Sequence, residues 1–134
     1  ILGFAFKANT NDTRESAAIT ICKDLIEEGA KLIIHDPKVS SQQIAKDLGL
    51  EERENKSTNN DFGSWIFSKN IYESFQDSDA CLILTEWIDY SNIDWERISK
   101  MMRKPAWVFD ARSISNSDKV KDANISFWRV GDGS

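Results

Sequence analysis

Ile1-Leu2-Gly3-Phe4-Ala5-Phe6 and Lys31-Leu32-Ile33-Ile34-His35, with Ala18, Ile19, Cys22, Leu25 and Ile26 between them, decide the fold. Each of the two apolar runs is long enough for a strand and too short for a helix. The residues between them recur at helical spacing and end at Gly29, a helix-stopping glycine. The polar turn Lys7-Ala8-Asn9-Thr10-Asn11-Asp12 leads into that helix, and the pattern places Asp12 or Thr13 near its N-cap, with Glu15 and Ser16 in the first turn. Asp36-Pro37 stops the second strand. Strand, helix and strand within the first 37 residues make a βαβ unit, whose crossover is right-handed.

Outward from this unit the pattern continues. A helix is expected around Gln42–Leu48, then a charged, Asn-rich run, Glu51–Asp61, that reads as an exposed insertion. Ser64–Phe67 reads as a short strand and Ile71–Phe75 as a short helix. Ala80–Leu84, Ala106–Phe109 and Ile125–Val130 read as strands, and Trp95–Arg103 as a helix. Apolar strands without alternation are buried on both faces, as in a parallel sheet covered by helices. The predicted architecture is α/β: one Rossmann-like domain over residues 1–134, a parallel sheet with helices on both faces. A chain that opens inside a core strand also reads as a piece of something longer.

Apolar residues make up 40% and charged residues 29% of the chain, which is globular composition. No apolar run approaches the roughly 20 residues that cross a bilayer, and the opening residues lack the basic-then-apolar pattern of a signal peptide. The net charge is −5 with scattered basic residues, which argues against a nucleic-acid face, where clustered Lys and Arg displace counterions. A small anionic ligand needs only one or two well-placed cations. Cys22 and Cys81 each sit in an apolar run and read as buried free thiols of a reducing cytoplasm. No Cys-x-x-Cys occurs and His35 is the sole histidine, so no metal site is expected.

Ligands of open parallel sheets bind beyond the C-terminal strand ends. Here the strands end in Lys7, in His35-Asp36-Pro37, in Thr85-Glu86-Trp87 and in Asp110-Ala111-Arg112. Lys7 and Arg112 are expected to converge on one crevice, and Arg14, in the first turn of the first helix, to add a third positive charge beside a helix N-terminus that itself favours an anion. A phosphate-containing ligand follows from that reading. The plainer alternative is that Lys7 and Arg14 pair with Asp12, Glu15 or Asp36 on an ordinary surface. No Gly-x-Gly-x-x-Gly follows the first strand, so a dinucleotide pyrophosphate is not expected tightly across this turn.

The run Gly3–Ser16 resembles the start of the C-terminal domain of the UDP-glucose/GDP-mannose dehydrogenase family, G-[FL]-[AS]-F-K-x-x-T-x-D-x-R-[ED]-S, throughout. His35-Asp36-Pro37 resembles the family's Y-D-P, Thr85-Glu86-Trp87 the T-E-W of its UDP-glucose branch, and Phe109-Asp110-Ala111-Arg112 its F-D-[GA]-R. The resemblance implies an NAD-dependent oxidation of UDP-glucose to UDP-glucuronate in the full-length protein, which oxidises a sugar C6 alcohol twice. It also implies that Phe6 and Lys7 contact the UDP-sugar, that Arg112 helps hold it, and that Arg14 reaches the NAD pyrophosphate. Asp110 is expected to orient Arg112. Ser113 stands where animal members have a second arginine. Trp87, Trp95 and Trp107 are expected to be core or interface aromatics.

The family's nucleophilic cysteine lies in a G-G-x-C-x-P-K-D helix start, and neither this motif nor a glycine fingerprint occurs here. Residues 1–134 therefore read as a C-terminal UDP-sugar-binding domain without the N-terminal NAD domain or the central helical domain. No catalytic residue is expected in it, and it is expected to be inactive alone. The implied partners are UDP-glucose, the rest of its own chain and further copies of it, with no nucleic acid and no membrane. The alternatives are the same domain of a UDP-N-acetylmannosamine or GDP-mannose dehydrogenase, or a stand-alone nucleotide-binding module.

Overall fold

The computed structural model describes residues 1–53 and 63–130. Four helices and five strands alternate in it: α1 (Ala17–Glu27), β1 (Lys31–Ile34), α2 (Ser41–Leu48), β2 (Ser64–Phe67), β3 (Ala80–Ile83), α3 (Trp95–Met101), β4 (Trp107–Asp110), α4 (Ser117–Asp122) and β5 (Ser126–Arg129). All strand pairs are parallel, β1 with β2 and β3 with β4 with β5. Most of the expected insertion, residues 54–61, lies outside the described residues.

The opening segment joins the two sheets. Leu2 bridges in parallel to His35 on one side and to Ile83 on the other. Its N–H donates to Leu82 O and its carbonyl accepts from Leu84 N, while Gly3 N donates to His35 O. Counting this segment as the first strand, the order across the sheet is 3-2-1-4-5-6, with the direction of winding reversed beside it. Right-handed crossovers leading away from that reversal put α1 and α2 on one face, and α3 and α4 on the other. This is the Rossmann-like arrangement expected, and sheets of this order take their ligands where the order reverses.

The first strand is shorter than its apolar sequence suggests. Gly3 has φ +97° and turns the chain out of the sheet. Beyond it, the Phe4 and Ala5 N–H groups donate to the side chain of Asp36 rather than to a neighbouring strand. The expected helix at Ile71–Phe75 is a 3-10 turn, Glu73–Phe75. Helix α4 has no counterpart in the sequence expectation, since Val120 is its one buried residue.

The core runs through Phe4, Ile34, Ile44, Trp65, Ile83, Tyr90, Ile98 and Val108, and it contains Trp87 and Trp95. Trp107 stands apart: it is 40% exposed and stacks on Phe109, which leans on Trp128. Among the described residues no helix is long and apolar enough to cross a membrane.

A β-carbon at Gly3 would lie 2.4 Å from Thr85 Cβ and 2.7 Å from its backbone nitrogen, at a φ that side chains avoid. Gly3→Ala is therefore expected to cost about 2–4 kcal/mol, the sum of a left-handed backbone and an overpacked contact. Urea unfolding checks this, and an unchanged midpoint would contradict the close approach of the two segments.

Candidate functional site

Four loops meet beyond the C-terminal strand ends, and buried carboxylates fold two of them. Asp36, 3% exposed, follows β1. Its Oδ2 accepts from Phe4 N at 2.8 Å, Ala5 N at 3.0 Å and Trp87 Nε1 at 3.2 Å, and its Oδ1 from Lys38 N and Val39 N at 2.9 Å. One side chain thus ties the loops after the opening segment, β1 and β3 together. Asp110, fully buried at the end of β4, accepts from Arg112 N, Ile114 N, Ser115 N and Ser115 Oγ, and folds the fourth loop. Amides that find a carboxylate acceptor in the interior escape the penalty of burial unpaired.

Thr85-Glu86-Trp87 stitches these loops to each other. Thr85 Oγ1 donates to Ala5 O at 2.8 Å, and the Trp87 indole reaches Asp36. Between them, Glu86 Oε1 accepts from Ala8 N at 2.6 Å and Oε2 pairs with Arg112 Nη2 at 2.6 Å. Arg112 Nη2 also donates to Phe6 O at 3.1 Å. The turn carrying Phe6 and Lys7 is thereby held against Arg112, and the expected convergence of these two loops is met. Phe6 is 46% exposed, and Lys7 is exposed beside it.

Two expectations about this site need correction. Asp110 does not orient the Arg112 guanidinium; its carboxylate takes the Arg112 backbone N–H, and Glu86 takes the guanidinium. Glu86 is the residue that sequence reasoning missed. A glutamate just past an apolar strand signals little, because its partners are remote in sequence. Arg14 is not in the first turn of α1. The N-cap is Ser16, whose Oγ accepts from Ala18 N and donates to Phe4 O, and Glu15 before it has φ +62°. Arg14 therefore lies in the loop ahead of the helix, its side chain 88% exposed and paired with Asp12 at 2.9 Å. Lys7 makes no ion pair among the described residues, although its charge is felt at Asp12. Ser113 is exposed with φ +57°.

The thiols cannot serve as nucleophiles. Burial pushes Cys22 up to about 11 and Cys81 up to about 12, so the reactive thiolate is withheld from both. His35 is buried with Nδ1 2.9 Å from the Tyr90 hydroxyl, and desolvation lowers its pKa, so it is a neutral core residue. A cavity of about 430 Å³ lies between Ser91–Glu96 and the first turns of α4. It is lined by Asp94, Glu96 and Asp122 against one cation, Lys119, and would repel an anion. Arg112 and the turn carrying Lys7 lie elsewhere, at the junction beyond the strand ends.

The sequence matches the family described as "UDP-glucose/GDP-mannose dehydrogenase family, UDP binding domain" over residues 1–117. It is 46% identical over 115 residues to the UDP-glucose 6-dehydrogenase of Gallus gallus, covering 85% of this chain and 23% of that protein. It is 40% identical over 131 residues to the Drosophila melanogaster UDP-glucose 6-dehydrogenase, covering 98% and 27%. With UDP-glucose 6-dehydrogenase 2 of Arabidopsis thaliana the identity is 36% over 138 residues, covering 98% and 29%. The chain thus spans less than a third of the length of these curated relatives.

Arg14 holds the Asp12 carboxyl down at about 2 from an ordinary 3.8, through side-chain and backbone hydrogen bonds. A depressed carboxyl contributes stability that is fully present above 3.8 and is lost as pH falls through about 2. NMR titration is expected to give an Asp12 midpoint near 2 that moves up toward 3.8 in Arg14→Ala. An ordinary midpoint in the parent chain would mean that the exposed pair does not persist in solution.

Proposed function

The chain belongs to the UDP-glucose/GDP-mannose dehydrogenase family as a UDP binding domain, and on that premise we propose that it binds the nucleotide sugar in an NAD-dependent UDP-glucose 6-dehydrogenase. In this reading it is the C-terminal domain of a longer cytoplasmic protein that oxidises UDP-glucose to UDP-glucuronate and assembles as a homo-oligomer. The NAD domain and the central helical domain lie in other parts of that protein. The observation that carries the reading is the junction of the Phe6-Lys7-Ala8 turn with Arg112 through Glu86 and Phe6 O.

Two cations of different character border the crevice at the reversal of strand order, where α/β sheets take their ligands. The Lys7 ammonium is a point charge suited to a diphosphate, and the planar Arg112 guanidinium offers directed donors to the same group. The exposed Phe6 ring adds an apolar surface beside them. A single diphosphate is met by one ammonium and one guanidinium.

Bound NAD would supply the hydride acceptor for oxidation of the sugar carbon. The residues present fit only its periphery. The Phe4 and Ala5 amides, which could line a pyrophosphate after the first strand, are committed to Asp36. Arg14, by contrast, projects from the loop ahead of α1 and can extend a charge-assisted contact toward a neighbouring domain. With both thiols buried and raised, this domain supplies binding and orientation. The nucleophile belongs to another part of the protein.

In the full-length enzyme, Lys7→Ala is expected to raise KM for UDP-glucose more than that for NAD, and Arg14→Ala to do the reverse. Losing one charge-assisted contact of about 1.5–3 kcal/mol weakens the ligand about tenfold to a hundredfold. Steady-state kinetics on both variants decide it, and equal effects on both substrates would mean that the residues support the domain instead. Residues 1–134 alone are expected to form no NADH from UDP-glucose and NAD. Turnover lost on mutating Cys22 or Cys81 would overturn the assignment of chemistry elsewhere.

A further inference from the structure

The geometry points to Glu86 as a positioning residue for nucleotide binding, a two-handed clamp that sets the Phe6-Lys7-Ala8 turn and the Arg112 guanidinium relative to each other. This rests on the reading of the crevice as the UDP site. One carboxylate oxygen takes the Ala8 N–H and the other takes Arg112 Nη2, each at 2.6 Å. The residues on either side are themselves fixed, Thr85 by Ala5 O and Trp87 by Asp36. The Glu86 backbone is therefore held at both ends, and its side chain can transmit that position.

The clamp engages Arg112 through one nitrogen. Nη2 forms the ion pair with Glu86 and donates a hydrogen bond to Phe6 O, while Nε and Nη1 make no hydrogen bond among the described residues. A guanidinium so held keeps donors for a phosphate and has already lost its rotamer freedom, which lowers the cost of ordering it on binding. Both side chains remain 36% exposed, so the pair borders the crevice rather than the core. The grip needs two acceptors on one group. A glutamine presents one oxygen and one N–H₂, so it can satisfy Ala8 N or Arg112 but places a donor against the other.

The test is UDP binding by isothermal titration to the full-length protein, with KM for NAD and the melting temperature measured alongside. Glu86→Gln is expected to weaken UDP about tenfold, nearly as much as Glu86→Ala, the loss of one charge-assisted bond. Glu86→Asp, which keeps both acceptors on a shorter arm, is expected to recover part of that loss. KM for NAD and the melting temperature are expected to stay at the parent values. UDP bound by Glu86→Gln as tightly as by the parent, or more tightly, would overturn the clamp, because Glu86 would then only neutralise Arg112. A parallel fall in UDP affinity, NAD affinity and melting temperature would also overturn it, as general support of the fold.

Lys7→Ala in the same protein separates the two levels of the argument. UDP weakened by Lys7→Ala but not by Glu86→Gln leaves the crevice as the UDP site and removes the clamp. UDP unaffected by either variant removes the reading of the crevice, and the clamp with it. UDP weakened by Glu86→Gln alone would likewise contradict the clamp, since Glu86 would be acting through something other than the turn that carries Lys7.

Discussion

The Asp36 carboxylate is the constraint on which the crevice depends. It sits 3% exposed at the end of β1 and accepts five hydrogen bonds, from Phe4, Ala5, Lys38 and Val39 amides and from the Trp87 indole. A buried carboxylate is costly unless its lone pairs are filled, and here the donors come from three loops. The loops consequently have one mutual arrangement. The close approach of Gly3 to Thr85 and the reach of Glu86 to Ala8 occur between loops that it joins, while Asp110 folds the fourth loop.

That arrangement also limits what can bind. In a sheet with this order, amides after the first strand could cradle a pyrophosphate, and an acid after the second could take a ribose. Here the acid and the amides satisfy each other, which leaves neither for a dinucleotide. What remains outward is side-chain chemistry: Lys7, Phe6 and Arg112 around the junction, and Arg14 further out. In the proposed reading these side chains hold a nucleotide by its phosphates from one side.

The sheet was legible in the sequence because its strands are contiguous apolar runs, and the winding followed from their alternation with helices. The end of the first strand was not, because Gly3 and the remote Asp36 override an apolar run that continues to Phe6. The start of α1 was placed too early, with Asp12 or Thr13 near the N-cap and Ser16 already in the first turn. The bond from Ser16 Oγ to Phe4 O, which only the tertiary fold supplies, fixes Ser16 as the cap instead. Helix α4 escaped notice because one buried valine makes no periodic stripe. At the site, Lys7 and Arg112 were singled out by their places after strands and Phe6 by the family resemblance alone, while the link between them, Glu86, depends on side-chain contacts that no spacing rule contains.

Replacing one oxygen of the central carboxylate tests this account most directly. Asp36→Asn keeps the size of the side chain but turns an amide N–H₂ toward amides that need an acceptor. Its unfolding in urea is expected to show a loss of about 2–4 kcal/mol, from buried donors left unpaired. A change within about 0.5 kcal/mol, the level of an ordinary surface substitution, would contradict the claim that this carboxylate holds the crevice together.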